Sequence, residues 1–217
     1  LSMILGGAGS GKTTLIRAMV KAAPFPRYTV VAAAPTGKAA RNLTERTGIQ
    51  ARTIHSALGK VPDENFLDPV YWEYVHLVII DEASMVSLEM LAGILNRVSK
   101  DCRVVLLGDP NQLLAVGAGN VLSDLWELDI PVTYLDQQYR QSESAEALRH
   151  NVVEFPKLHD VSELHWDDSF RLIPASDTEI AEIVCHEASK RYLAGESVQV
   201  LSMTNYKTAF SAGRSRL

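Results

Sequence analysis

The densest chemistry in this sequence lies in Gly6-Gly7-Ala8-Gly9-Ser10-Gly11-Lys12-Thr13-Thr14. Read from Gly6, it satisfies G-x-x-x-x-G-K-[ST], the spacing of a phosphate-cradling loop. Glycines let backbone N–H groups close around a phosphate without a Cβ clash. A helix start behind them adds partial positive charge. Gly7, Gly9, Ser10, Gly11, Lys12, Thr13 and Thr14 are therefore candidate nucleotide contacts. Lys12 can reach the β- and γ-phosphates, and the Thr13 hydroxyl can hold Mg²⁺. A flexible turn before a helix has a similar composition. The apolar run Met3-Ile4-Leu5 in front and the helical pattern 15–20 behind favour the phosphate loop.

A second apolar run, Leu77-Val78-Ile79-Ile80, ends in Asp81-Glu82. Taken alone, an Asp-Glu pair at a strand end is a helix cap followed by a first-turn acid. Downstream of a phosphate loop, Asp81 becomes a candidate Mg²⁺ ligand and Glu82 a candidate activator of an attacking water. After a further apolar run comes Gly108-Asp109-Pro110-Asn111-Gln112-Leu113. Its composition is good turn chemistry by itself. At the same edge as the other two motifs, Gln112 is a candidate sensor of the γ-phosphate.

These motifs need strands to carry them. Apolar, β-branched runs at 2–5, 29–34, 77–80, 103–107 and 132–135 alternate with helical patterns near 12–23, 37–46, 87–99 and 117–127. Continuous apolar strands separated by helices predict an α/β fold, a parallel sheet covered on both faces. Ligands in such sheets sit at the carboxyl ends of strands. The phosphate loop, Pro35-Thr36-Gly37, Asp81-Glu82 and Gly108-Asp109-Pro110 all fall at that edge.

Ala34-Pro35-Thr36-Gly37-Lys38-Ala39-Ala40, Arg52-Thr53-Ile54-His55-Ser56-Ala57-Leu58 and Gln138-Tyr139-Arg140-Gln141 complete a motif series. In order, the set resembles motifs Ia to IV of superfamily 1 DNA helicases. The likeness is greatest to the RecD-like branch, the exodeoxyribonuclease V alpha subunit and its relatives. It is dense over residues 3–141 and thin beyond. The resemblance implies a RecA-like P-loop NTPase domain that binds and hydrolyses ATP with Mg²⁺. It implies translocation on single-stranded DNA from 5′ to 3′, in recombination or repair. Lys12, Glu82, Gln112 and Arg140 would be catalytic, Arg140 as an arginine finger. Thr13 and Asp81 would hold the metal. Thr36, Gly37, Lys38 and His55 would line the DNA track. Read from the residues alone, Arg140 is equally an ion-pair partner of Asp136 or Glu143, and His55 a core or capping histidine. The branch carries a β-hairpin between the His55 segment and Asp81-Glu82, where residues 59–72 lie. Phe66, Tyr71 or Trp72 could stack there on a base or anchor a loop.

These readings give a motor domain at 1–145 and a connecting segment with a partial second RecA-like domain at 146–217. In the latter, 170–173 and 198–203 read as strands and 177–193 as a helix. The chain starts inside a strand and stops before the family's motifs V and VI. We therefore expect a fragment with weak activity alone.

Composition adds boundaries. At 47% hydrophobic residues the chain can bury a core, and its 22% charged residues suit a globular protein. No apolar run has the roughly 18–20 residues of a membrane span. Cys102 and Cys185 lack metal or redox spacing, which suits a reducing, cytoplasmic setting. The first 60 residues hold nine Lys or Arg and one acid, a net of +8, while the remainder carries −13. A basic first quarter suits a polyanion such as single-stranded DNA, or is a solvated face. Two other functions compete: a P-loop ATPase or kinase for a small molecule, and a nucleotide-binding docking module among nuclease and helicase subunits of an exonuclease complex.

Overall fold

The computed structural model describes residues 1–7, 9–22, 29–61, 68–112, 114–115, 117–136, 146–154, 160–176 and 178–201. The chain divides into two units, Leu1–Ser144 with Val153–Leu158, and Ala145–Val152 with His159–Leu217.

In the first unit six strands form one parallel sheet. They are β1 (Ser2–Gly6), β2 (Thr29–Ala34), β3 (Ala51–Thr53), β4 (Val75–Ile80), β5 (Arg103–Gly108) and β6 (Val132–Leu135). Their order is β3-β2-β4-β5-β1-β6. The helices between them are α1 (Lys12–Ala22), α2 (Gly37–Thr47), α3 (Ile54–Ala57), α4 (Leu88–Leu95) and α5 (Val121–Trp126).

The inner strands β2, β4, β5 and β1 read as largely apolar runs because both sheet faces are covered there. Successive side chains point to opposite faces. Met3, Leu5, Val78, Ile80, Val104 and Leu106 enter one core, with Leu91 and Ile94 of α4 and Leu122 of α5. Ile4, Leu77, Ile79, Val105 and Leu107 enter the other, with Ile16 of α1 and Leu43 of α2. Central pairing is tight in register: Ile4 faces Leu107, and Ile80 faces Leu106. β4, β5 and β1 are adjacent, so their carboxyl ends open onto one edge.

The sequence reading missed β3. Its three residues, Ala51-Arg52-Thr53, offer no apolar run. A hydroxyl holds it: Thr44 Oγ1 donates to the Ala40 carbonyl (3.1 Å) and accepts from the Ala51 N–H (2.9 Å). Gly48 closes α2 in the left-handed region (φ 74°), its N–H donating to the Thr44 carbonyl. The helix expected from 117 begins at Val121 instead. Gly117 and Gly119 have φ of 150° and 92°, which a helix cannot include, and Asn120 Oδ1 caps the start by accepting from the Ser123 N–H. Residues 62–67 of the expected hairpin lie outside the described ones. The described flanks, 59–61 and 68–71, contain no strand.

The second unit holds α6 (Glu146–Glu154), shared with the first unit's boundary, and α7 (Ile180–Leu193). Asp167 Oδ2 and Ser169 Oγ accept from the Ala147 and Leu148 N–H groups and so cap α6 across some twenty residues of chain. Asn151 is buried and exchanges two hydrogen bonds with the His165 backbone, at 2.6 and 2.8 Å. Glu179 accepts from the Ser176 N–H and hydroxyl at the entry to α7. The expected strands are a correction. Phe170 makes one isolated antiparallel bridge with Asp167, and residues 171–176 and 196–201 are irregular. Their apolar character matched strands, but among the described residues no neighbouring strand takes up their backbone groups.

Candidate nucleotide site

The cleft at the carboxyl edge has a volume of about 360 Å³. Three separate loops supply its chemistry: Gly9 to Thr13 after β1, Asp81 and Glu82 after β4, and Gln112 after β5. The sheet order thus converges motifs that lie up to a hundred positions apart in sequence.

The phosphate loop has the backbone its glycines permit. Gly9 and Gly11 have φ of 79° and 92°. Gly6 is required for space: a Cβ there would stand 2.5 Å from Ser10 Oγ and 2.8 Å from the Leu135 carbonyl oxygen. The Lys12 ammonium donates to the Gly6 carbonyl (2.5 Å) and the Gly7 carbonyl (2.9 Å), so the loop folds around its own lysine. The Ser10 hydroxyl is buried and has no partner among the described residues. A phosphate oxygen would satisfy it, and together with the open N-terminal turn of α1 it fits an anion.

Opposite sits the carboxylate pair. Asp81 is pushed above the usual carboxylate range by burial, which its bond from the Glu82 N–H and the charges of Lys12 and Arg46 only partly offset. Glu82 is raised by burial and then by Asp81, with Lys12 acting against both. Glu82 also occupies the left-handed region at φ 55° and ψ 43°. That conformation costs a non-glycine residue about 1 kcal/mol and marks stored strain beside the cleft. Two half-buried carboxyls wanting a counter-cation, beside a threonine hydroxyl, suit a hard cation such as Mg²⁺. Among the described residues no cluster of three His, Cys, Asp or Glu forms a protein-only metal cage.

Asp109 serves the turn. It is buried, and its Oδ1 accepts from the Asn111 N–H while its carbonyl accepts from Gln112. This fixes Gln112 at the cleft. Gly108 gives α5 its approach, since a Cβ would meet Leu122 Cδ1 at 2.6 Å.

The other sequence candidates divide. Thr36 caps α2, accepting from the Ala39 N–H (3.2 Å), and lines the cleft with Lys38. Gly37 opens α2 and is not among the cleft's lining residues. His55 lies half-buried in α3, with its carbonyl accepting from the Lys60 N–H. Gly7 contributes a carbonyl to Lys12, and Thr14 lines an adjoining hollow. Arg140 and its motif lie outside the described residues, as does Phe66. Trp72 packs against the core while Tyr71 is exposed, so the tryptophan anchors its segment. The sequence reading missed Asn42, Arg46 and Met85 in the cleft wall. Lys38, Asn42 and Arg46 recur every four residues, the spacing of one helix face, and that period was available to find them.

A parallel sheet with a phosphate loop and an acidic strand end at one edge defines a P-loop nucleotide-binding domain. The chain belongs to the AAA domain family, whose model matches residues 1–167. It is similar to the RecBCD enzyme subunit RecD of Mycolicibacterium smegmatis, with 39% identity over 155 residues, 58% of this chain and 28% of that protein. It is equally similar to the ATP-dependent RecD2 DNA helicase of Deinococcus radiodurans, 39% identical over 145 residues, 65% of this chain and 20% of that one. These relatives bear out the resemblance to the RecD-like branch. The chain spans under a third of the length of either. In fold it is like Bacteroides Pif1 bound to ssDNA (TM-score 0.53, 20% identity, covering 86% of this chain and 52% of that one). It is also like Pif1 helicase from Candida albicans (TM-score 0.54, 19% identity, covering 99% and 58%).

Proposed function

We propose that this chain is the ATP-binding and hydrolysing core of a DNA helicase that moves on single-stranded DNA. The carrying observation is the convergence of Lys12, Thr13, Asp81, Glu82 and Gln112 on one cleft. Loop N–H groups and the Lys12 ammonium bind the β- and γ-phosphates. Thr13 and Asp81 hold Mg²⁺, which when bound neutralises charge on the phosphate oxygens. Glu82 takes up a proton from the attacking water; its raised affinity for protons suits a general base. Gln112, fixed by the Asp109 turn, senses the terminal phosphate. Arg140 is the proposed arginine finger. Thr36, Gly37, Lys38 and His55 form the proposed DNA track, using backbone and hydroxyl donors that position a strand without reading its sequence.

The helicase names of the relatives support DNA as the polymer, and RecD's membership of RecBCD supports subunit partners in an exonuclease complex. Translocation from 5′ to 3′, a place in recombination or repair, and a cytoplasmic site are part of the same proposal. No helix among the described residues is long and apolar enough to cross a membrane.

ATP turnover with and without single-stranded oligonucleotide tests the reading. We expect oligonucleotide to stimulate hydrolysis and Lys12→Ala to abolish it. Stimulation by a small metabolite in place of DNA would overturn the motor reading in favour of a kinase or metabolic ATPase.

A further inference from the structure

Arg46 is a charged cleft residue that neither the motif series nor the mechanism uses. It stands in the last turn of α2, exposed, and lines the same cleft as Lys12, Thr13, Asp81, Glu82 and Gln112. It also borders the adjoining hollow formed with Thr13, Thr14 and Arg17 at the start of α1. Arg46 therefore sits where the two hollows meet, beside the hydroxyl and carboxylate that would hold a metal.

Three observations say that its guanidinium serves a ligand. Arg46 takes no part in the ion pairs formed among the described residues. It shares a helix face with Lys38 and Asn42, which also line the cleft, giving a polar stripe running about 12 Å along the wall. Its charge is felt by both Asp81 and Glu82, although neither pairs with it directly. An arginine left unpaired while two carboxylates stand nearby is spaced for a group that comes between them. A guanidinium offers a fork of donors matched to phosphate oxygens. The Ala51 N–H bond to the Thr44 hydroxyl ties the last turn of α2 to β3, and Gly48 closes the helix on the Thr44 carbonyl, so the backbone that carries Arg46 is fixed beside the cleft.

We propose that Arg46 is a phosphate-binding residue of the nucleotide cleft, a second cation that reaches the polyphosphate from α2 while Lys12 reaches it from the phosphate loop. The proposal rests on the nucleotide-binding reading above. It assigns the ligand as the distal phosphates of a nucleoside polyphosphate, because Arg46 faces the carboxylate side of the cleft.

Equilibrium titration of the 217-residue chain with fluorescent, non-hydrolysable adenosine triphosphate, and with the labelled di- and monophosphates, tests it. Lys12→Ala serves as the reference variant. We expect Arg46→Ala to weaken triphosphate binding about tenfold, the loss of one charge-assisted contact, and to leave the monophosphate nearly unchanged. Arg46→Lys should recover part of that loss. Ligand-free thermal midpoints of both variants should match the parent. If Lys12→Ala loses binding while Arg46→Ala keeps it, the inference is wrong and the nucleotide site stands. Equal losses for all three nucleotides, with no rescue by lysine, would reduce Arg46 to a structural role and overturn the inference. A parent chain that binds none of the three removes the nucleotide reading and the Arg46 assignment together.

Discussion

Asp81 and Glu82 carry the residue-scale conflict between stability and chemistry. Both hold their protons more tightly in the fold than in the unfolded chain, because burial disfavours the charged form. Between the ordinary carboxylate value and the raised one, the folded state binds more protons than the unfolded. Stability therefore falls as pH rises through that window and levels off above it. Asp81→Asn and Glu82→Gln each remove a half-buried charge, so each should melt at higher temperature than the parent at neutral pH, without nucleotide or metal. The gain should vanish below about pH 4, where unfolded carboxyls are protonated too. Melting curves across pH check this, and an unchanged midpoint at neutral pH would show the charges are not costly. The same substitutions should lower ATP turnover by at least about 100-fold, the scale of a general base or metal ligand. Lys12, Thr13, Asp81, Glu82 and Gln112 were legible because fixed motif spacing announces them. Arg46 was overlooked: only its helical period with Lys38 and Asn42 marks it, and the loops that complete the cleft around it follow β1 and β4.

At the scale of elements, Thr44 is the clearest single fastening. One hydroxyl donates back into α2 and accepts from Ala51 in β3. Thr44→Val keeps the volume and strands a fully buried backbone N–H. We expect a loss of about 1–3 kcal/mol, read as a lower urea midpoint with an unchanged slope. An unchanged midpoint would mean that another acceptor replaces the hydroxyl. Of the five longer strands, β1, β2, β4 and β5 were readable as apolar runs that are mostly buried on both faces, and the edge strand β6, with Thr133 and Tyr134 exposed, by its β-branched and aromatic residues. β3 escaped because three residues with one apolar side chain carry no periodic signal. Its existence depends on α2 and β2. The start of α5 was misplaced by glycines whose backbone angles a composition pattern does not reveal. The reverse error at 170–173 and 198–203 has the opposite cause: local character favoured strands, and strands form only where a neighbour accepts their hydrogen bonds.

Charge organises the whole molecule. The first 60 residues, with a net of +8, carry the phosphate loop and α2, and the remaining chain carries −13. Affinity for single-stranded DNA should therefore fall steeply with salt despite the overall negative charge. Lys38→Ala should weaken oligonucleotide binding across sequences and reduce the magnitude of the salt slope by up to about one. Binding measured from low to moderate salt tests this, and an unaltered slope would make Lys38 a nucleotide-side residue alone. The structure already brings Lys38 to the cleft wall. The overall α/β architecture followed from alternating runs in the sequence, whereas the second unit did not, because its irregular segments lack the neighbours that would define them.

The double burial of β1, β4 and β5 has one more consequence. In a sheet with one wet face, a strand that slips by one residue exposes its apolar side chains and is rejected. Here both faces are apolar, so a slip would trade one hydrophobic side chain for another and raise little objection. What objects is the end of each strand. Drawing β4 back by one residue would bring Asp81 between Leu106 and Ala33, and drawing β5 back would bring Asp109 into the place of Gly108 opposite Leu5. The carboxylates at the strand ends thus act as index marks for the sheet. Chemistry and alignment share the same few positions, and replacing an edge carboxylate with an apolar side chain should cost folding fidelity before any substrate is present.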